Sequence, residues 1–239
     1  MTKPNKSTVD EIKQRFDQDV ERFSQLEIGN TAQIDSAMSL DLIARVAART
    51  NPNAKRLLDI GCGAGNYSLK LLERIPDMEV TLVDLSQPML DRAAERIAAV
   101  TKRAVVTIQG DVREVDLDDE EFDIAVGGAV FHHLREDAEW HATFRRIHQA
   151  LRPGGTFWVY DLLDHEMSGV EEEMQSLYAK YLVDLRGTEY RDLVFGWIEK
   201  EDTPRPLTFQ LDVMRQAGFD KVDVLHKNIS FAVYGGMKT

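Results

Sequence analysis

The stretch Leu57-Leu58-Asp59-Ile60-Gly61-Cys62-Gly63-Ala64-Gly65-Asn66 constrains this chain more than any other. An apolar run leads into three glycines spaced two apart, and helical periodicity resumes directly after them. That order predicts a buried strand, a tight turn and a helix start, because glycine tolerates positive φ and lets backbone pass close to a ligand. The glycines fall as G-x-G-x-G at 61, 63 and 65, not as the G-x-G-x-x-G that seats a pyrophosphate on a helix N-terminus. Asp59 stands two residues before the first glycine. An acid there would repel a pyrophosphate and suits a ligand with an ammonium group.

Around this loop the chain alternates. Short apolar runs at Arg56–Ile60, Val80–Val83, Ala104–Ile108, Phe122–Val126 and Thr156–Tyr160 predict buried parallel strands. Helical periods cover Tyr67–Arg74, Pro88–Val100 and Asp137–Leu151, while the acidic link Gly110–Glu121 is expected to be irregular. This alternation predicts a Rossmann-like, doubly wound α/β sheet. Ahead of it, Ile12, Phe16, Val20 and Phe23 mark one helical face over Thr8 to Leu26, and a second helix is expected from Ile34 to Arg49, ended by Asn51-Pro52. Residues 165–217 are expected to be helical, with a break at Thr203-Pro204-Arg205-Pro206. Val222–Leu225 and Ile229–Tyr234 predict a closing hairpin turning at His226-Lys227-Asn228. The expectation is a single domain over 1–239: a helical cap at 1–50, a core at 51–164, a helical insertion at 165–206, and a last helix and hairpin at 207–239.

Composition narrows the function classes. The chain has 29 Lys and Arg against 41 Asp and Glu, a net charge of −12, which disfavours a phosphate backbone as partner. One cysteine, Cys62, cannot form an internal disulfide. No run approaches the ~20 apolar residues of a membrane span, and the first residues lack the apolar core of a signal peptide. A cytoplasmic location is expected, with a small-molecule partner and no membrane; nucleic acid is disfavoured, with tRNA left open. Six histidines and one cysteine show no metal-ligand spacing, so no metal is expected.

Further signals follow in order. Val83-Asp84 ends the second strand about twenty residues past the glycines, where a carboxylate can accept from ribose hydroxyls. Gln109-Gly110-Asp111-Val112 follows the third strand, with Asp111 placed to accept from an adenine amino group. Leu151-Arg152-Pro153-Gly154-Gly155 forms a sharp turn before the fifth strand. With these motifs in this order, residues 35–165 resemble the class I S-adenosylmethionine-dependent methyltransferases. The resemblance implies a seven-stranded sheet of order 3-2-1-4-5-7-6 with the last strand antiparallel, and S-adenosyl-L-methionine as cofactor. It implies that Asp59, Gly61, Gly63 and Gly65 line the methionine and ribose part. Asp84 would bind ribose, Leu85 and Met89 would pack on adenine, and Asp111 and Val112 would hold its edge. Ala129, just after the fourth strand, joins this set.

Methyl transfer needs the acceptor aligned and, where it is protonated, a proton removed. Gly127-Gly128-Ala129-Val130-Phe131-His132-His133-Leu134 follows the fourth strand, and His132 or His133 could supply a base or only support the loop. Asp161, after the fifth strand, could contact an acceptor or cap a helix. Met174, Leu177, Tyr178 and Tyr181 share one helical face, which could be core, a lid with both tyrosines on substrate, or a homodimer surface. Arg191, Trp197 and His226 complete the acceptor candidates, and Arg191 or Arg205 could meet an acidic acceptor. Cys62 is expected to pack.

The chain is also similar, through Phe16-Asp17-Gln18-Asp19-Val20 and Gln216-Ala217-Gly218-Phe219, to carboxy-S-adenosylmethionine synthases and tRNA wobble-uridine methyltransferase-like proteins. Three functions stay open: methyl transfer to a small, partly apolar acceptor enclosed by the N-terminal helices and the 165–206 lid insertion, cofactor carboxylation or tRNA modification, and non-catalytic binding of the cofactor.

Overall fold

The computed structural model describes residues 6–25 and 31–239. β1 (Arg56–Ile60) alternates Leu57 and Leu58 to opposite faces, and both are fully buried. A strand buried on both faces must have helices on both sides. The side that takes Leu57 is covered by α3 (Ser36–Thr50), α4 (Asn66–Leu72) and α5 (Gln87–Ala98), through Ile43, Leu71 and Leu90. The side that takes Leu58 is covered by α6 (Asp137–Ala150) and α9 (Leu207–Ala217), through Phe144 and Met214.

β2 (Glu79–Asp84) and β3 (Val105–Gln109) extend the sheet on one side of β1. On the other side lie β4 (Phe122–Gly128), β5 (Leu151–Leu162), β7 (Phe231–Met237) and β6 (Lys221–Asn228). The order is β3-β2-β1-β4-β5-β7-β6, with β7 antiparallel to both of its neighbours, as the resemblance implied. The link from β3 to β4 contains no helix.

Several boundaries differ from expectation. The first helix is two, α1 (Val9–Gln18) and α2 (Val20–Ser24), because Asp19 leaves helical geometry at φ −104°, ψ 9°. The expected end at Leu26 lies outside the described residues. The sharp turn at Arg152-Pro153-Gly154-Gly155 is absorbed into β5, where the ladder to β4 shifts register between Phe122 and Ile124. The hairpin turns at Ile229-Ser230, with Ile229 at φ 48°, so His226, Lys227 and Asn228 belong to β6 and not to its turn. Cross-strand pairing of Asn228 with Phe231 outweighed the polar character that had marked 226–228 as a loop. The insertion forms α7 (Ser168–Arg186) and α8 (Thr188–Glu201).

Candidate active site

The carboxyl ends of β1, β2, β3 and β4 open into one cavity, where open α/β sheets bind ligands. Its floor is laid by Gly61, Cys62, Gly63, Asp84, Leu85, Met89, Asp111, Val112 and Ala129. Its roof comes from elsewhere: Ile12, Arg15 and Phe16 of α1, Phe23 of α2, Tyr178 of α7, and Trp197 of α8. His132 and His133 stand in a single 3-10 turn at Phe131–His133, beside Asp202, which caps α8.

Backbone geometry shapes the floor. Gly61 and Gly63 have φ of 60° and 50°. A Cβ on Gly61 would lie 2.5 Å from Val130 Cγ2, whereas one on Gly63 would meet nothing within 4 Å. The first glycine is therefore required by packing and the second leaves open space. Gly65 does not line the cavity. At φ 80° it begins α4, and a Cβ there would press within 3.1 Å of Ala93 and Ile97 of α5. Asp84 accepts from Gly63 N at 2.8 Å and Ser86 N at 2.9 Å, so one carboxylate joins the glycine loop to the turn after β2. Burial pushes its pKa up against those hydrogen bonds.

Asp59 lies behind the loop, 1% exposed and outside the lining. Its Oδ2 accepts from Ser68 N and Oγ, and its Oδ1 has no partner. Burial drives its pKa up to about 7. Asp111 is gripped by Arg113 through both carboxylate oxygens, and Arg113 reaches on to Glu139 at 2.7 Å. Burial opposes ionisation of Asp111, but that guanidinium holds its pKa below the usual range. Burial pushes the Cys62 thiol well up, which leaves it a packing residue.

At the other end Asp161 is fully buried and accepts from Phe131 N and Leu162 N, each at 2.8 Å. It contacts His132 Nδ1, leaving Nε2 toward Asp202 Oδ1 at 3.7 Å. Burial works against charge on His132, yet the carboxylates of Asp161 and Asp202 raise its pKa to about 9. His132, His133 and Asp202 each bring a donor atom within 4.8 Å of the others. Chain spacing gave no sign of this set, because the carboxylate lies some seventy residues away from the histidines. Asp161 does not line the cavity; it touches His132, which does.

Other proteins share this architecture. A methyltransferase domain model matches residues 57–155. A malonyl-[acyl-carrier protein] O-methyltransferase of Priestia megaterium is 26% identical over 148 residues, 62% of this chain and 50% of that protein. A demethylmenaquinone methyltransferase of Listeria monocytogenes is 25% identical over 203 residues, 82% of this chain and 81% of that one. Among solved structures, the Burkholderia thailandensis 1,6-didemethyltoxoflavin-N1-methyltransferase, with S-adenosylhomocysteine bound, superposes at TM-score 0.60 and 19% identity, covering 84% of this chain and 78% of that one. Residues 57–155 carry a methyltransferase domain, set on the sheet order that the resemblance to class I S-adenosylmethionine-dependent methyltransferases implied. The cofactor is S-adenosylmethionine, and the residues present fit that group. Gly63 leaves a cradle that any Cβ would begin to fill, and Asp84 and Asp111 give the floor the acidity a sulfonium and an ammonium need.

The acceptor candidates divide differently in this methyltransferase. Tyr178 and Trp197 line the cavity, but Tyr181, Arg191 and His226 do not. The Tyr178 hydroxyl donates to Ala32 O at 3.0 Å, Tyr181 to Thr31 O at 2.7 Å, and Tyr160 to Ile34 O at 2.7 Å. His226 Nε2 and Asn228 Nδ2 both contact Asp35 Oδ2, at 2.9 and 2.8 Å. These residues hold the 31–35 segment that leads into α3. Arg191 pairs with its neighbour Asp192, and Arg205 with Asp137.

Sequence reasoning missed Arg15, Phe16, Phe23, Glu201 and Asp202. Arg15 forks onto Glu201, Nε reaching Oε1 at 2.8 Å and Oε2 at 2.9 Å, and lies 5.4 Å from the Trp197 ring. The N-terminal helices were expected to enclose the acceptor, but the spacing of Ile12 and Phe16 did not say which of their side chains line the cavity.

Proposed function

We propose that this chain transfers the methyl group of S-adenosylmethionine to a small, partly apolar acceptor. The observation that carries the reading is the single cavity that joins the glycine loop to His132 and His133 under a roof of Phe16, Phe23 and Trp197. When bound, the cofactor supplies an electrophilic methyl on a sulfonium. Gly61, Gly63, Asp84, Leu85, Met89, Asp111, Val112 and Ala129 hold it, while Asp59 and Gly65 shape the loop from behind. His132 and His133 are the catalytic residues, meeting the acceptor at its polar atom. Asp161 is a positioning residue that fixes the His132 ring. The aromatic roof packs the acceptor and excludes water.

The relatives support this class of acceptor: one is named for a malonyl carrier and the other for a demethylated menaquinone. Charge supports it too. Arg15, Arg113 and Arg135 of the cavity wall are already engaged, with Glu201, with Asp111 and Glu139, and with Ser7 O. The wall thus favours an acceptor with apolar bulk over a strongly anionic one.

The test is S-adenosylhomocysteine release from the full chain against a panel of phenols, quinols and short acids. Release with an apolar hydroxylated acceptor is the expected result. A prephenate-dependent carboxylation of the cofactor, or cofactor binding with no turnover on any acceptor, would overturn the proposal.

A further inference from the structure

Two histidines and a carboxylate meet at the acceptor end in a way that ordinary packing leaves unfinished. His132 Nδ1 is taken by Asp161, and Asp161 is locked by two main-chain amides at 2.8 Å. This carboxylate fixes the ring in the arrangement that orients a metal-bound histidine, and an ion at Nε2 would displace the proton held there. Nε2 is left facing Asp202 Oδ1 at 3.7 Å. His133 Nδ1 lies 3.1 Å from the same oxygen, yet it is buried and makes no hydrogen bond. Asp202 itself is 8% exposed. Arg15 and Lys6 do not complete it: Arg15 is spent on Glu201, and Lys6 Nζ sits on the main-chain carbonyls of Glu199 and Asp202. The His132 carbonyl accepts from Thr203 N at 2.6 Å, which ties the histidine turn to the end of α8.

We propose that His132 Nε2, His133 Nδ1 and Asp202 Oδ1 bind one divalent first-row transition-metal ion. Bonds of about 2.0–2.2 Å around a tetrahedral centre place ligand atoms roughly 3.2–3.6 Å apart. Two of the separations, 3.7 and 3.1 Å, lie close to that range. Two imidazoles with one carboxylate select zinc, iron, cobalt or nickel over calcium or magnesium, which prefer oxygen ligands. Three protein ligands leave a further position toward the cavity for water or an acceptor oxygen. With the ion bound, His132 and His133 would reach the acceptor's polar atom through it, and that step alone rests on the methyl-transfer reading.

The experiment is a titration of Co²⁺ into the metal-stripped full chain, with neither cofactor nor acceptor present, followed by visible d–d absorption. The expected result is a band that saturates at one equivalent and is bleached by Zn²⁺. His133→Ala and Asp202→Asn lose the band, Asp161→Asn weakens binding about 10–100-fold, and His141→Ala leaves it unchanged. Cooperative thermal unfolding verifies each variant. If Asp202→Asn fails to fold, His133→Ala decides, since that side chain is partly exposed. No band in the wild type, or an undiminished band in folded His133→Ala, overturns the proposal. Failure here leaves methyl transfer standing, and a failed acceptor panel leaves the ion site standing.

Discussion

The floor and the roof of the cavity are built by opposite means. The floor is local: Asp59, Gly61, Gly63 and Gly65 fall within seven residues, and main-chain amides of the loops themselves, Gly63 N and Ser86 N, orient Asp84. The roof is assembled by side chains reaching far along the chain. Arg15 meets Glu201 across 186 residues, Tyr181 meets Thr31 across 150, and His226 meets Asp35 across 191. On the proposed reading, a cofactor common to many enzymes would be met by backbone geometry, and the acceptor, which differs among them, by tertiary side-chain contacts.

The largest effect is expected in the floor. Gly61→Ala places a methyl against Val130 and forces an L-residue into positive φ, and should cost roughly 2–4 kcal/mol. Denaturant unfolding reads it, and a loss below about 1 kcal/mol would break the view that this glycine is fixed by packing.

That contrast explains what was legible. The core strands, the glycine loop and the acids at 59, 84 and 111 could be read because period and spacing record local geometry, whereas the strand order came from the family resemblance and not from the pattern. The β5 start and the hairpin turn were misplaced because ladder pairing, as between Asn228 and Phe231, overrides a polar local signal. Tyr181 and His226 carried the right chemistry for substrate contact, but their hydrogen-bond capacity is spent on residues 31–35. Asp202 was invisible beside His132 because only the packing of α8 brings them together.

Asp59 sharpens the comparison through pH. Its folded pKa of about 7 lies above the ordinary ~3.9, so the folded unliganded chain binds the extra proton. Its contribution is full below about pH 4 and is lost as pH rises toward 7, on the order of 3 kcal/mol. Asp59→Asn should therefore gain thermal stability relative to the wild type at pH 8 and not at pH 4. An equal difference at both values would contradict the buried, proton-holding carboxyl.

In the roof, Arg15→Ala leaves the nearly buried Glu201 carboxylate without its partner. A loss of about 1–3 kcal/mol is expected, given the partial exposure of Arg15. Acceptor KM should rise with it. Glu201→Gln on top of Arg15→Ala should recover part of the loss, and a purely additive double variant would argue against the pair. Smallest is Tyr181→Phe, which removes one hydroxyl from Thr31 O and should cost about 0.5–1.5 kcal/mol. Steady-state kinetics that showed a large fall in kcat would instead return Tyr181 to the acceptor.

The division between floor and roof is tested most directly by calorimetric titration of S-adenosylmethionine into the wild type, Asp84→Ala and Arg15→Ala. The wild type should bind one equivalent, Asp84→Ala should lose about 1–3 kcal/mol of binding with its charged acceptor, and Arg15→Ala should match the wild type. Unchanged affinity in Asp84→Ala, or affinity lost in Arg15→Ala, would contradict it.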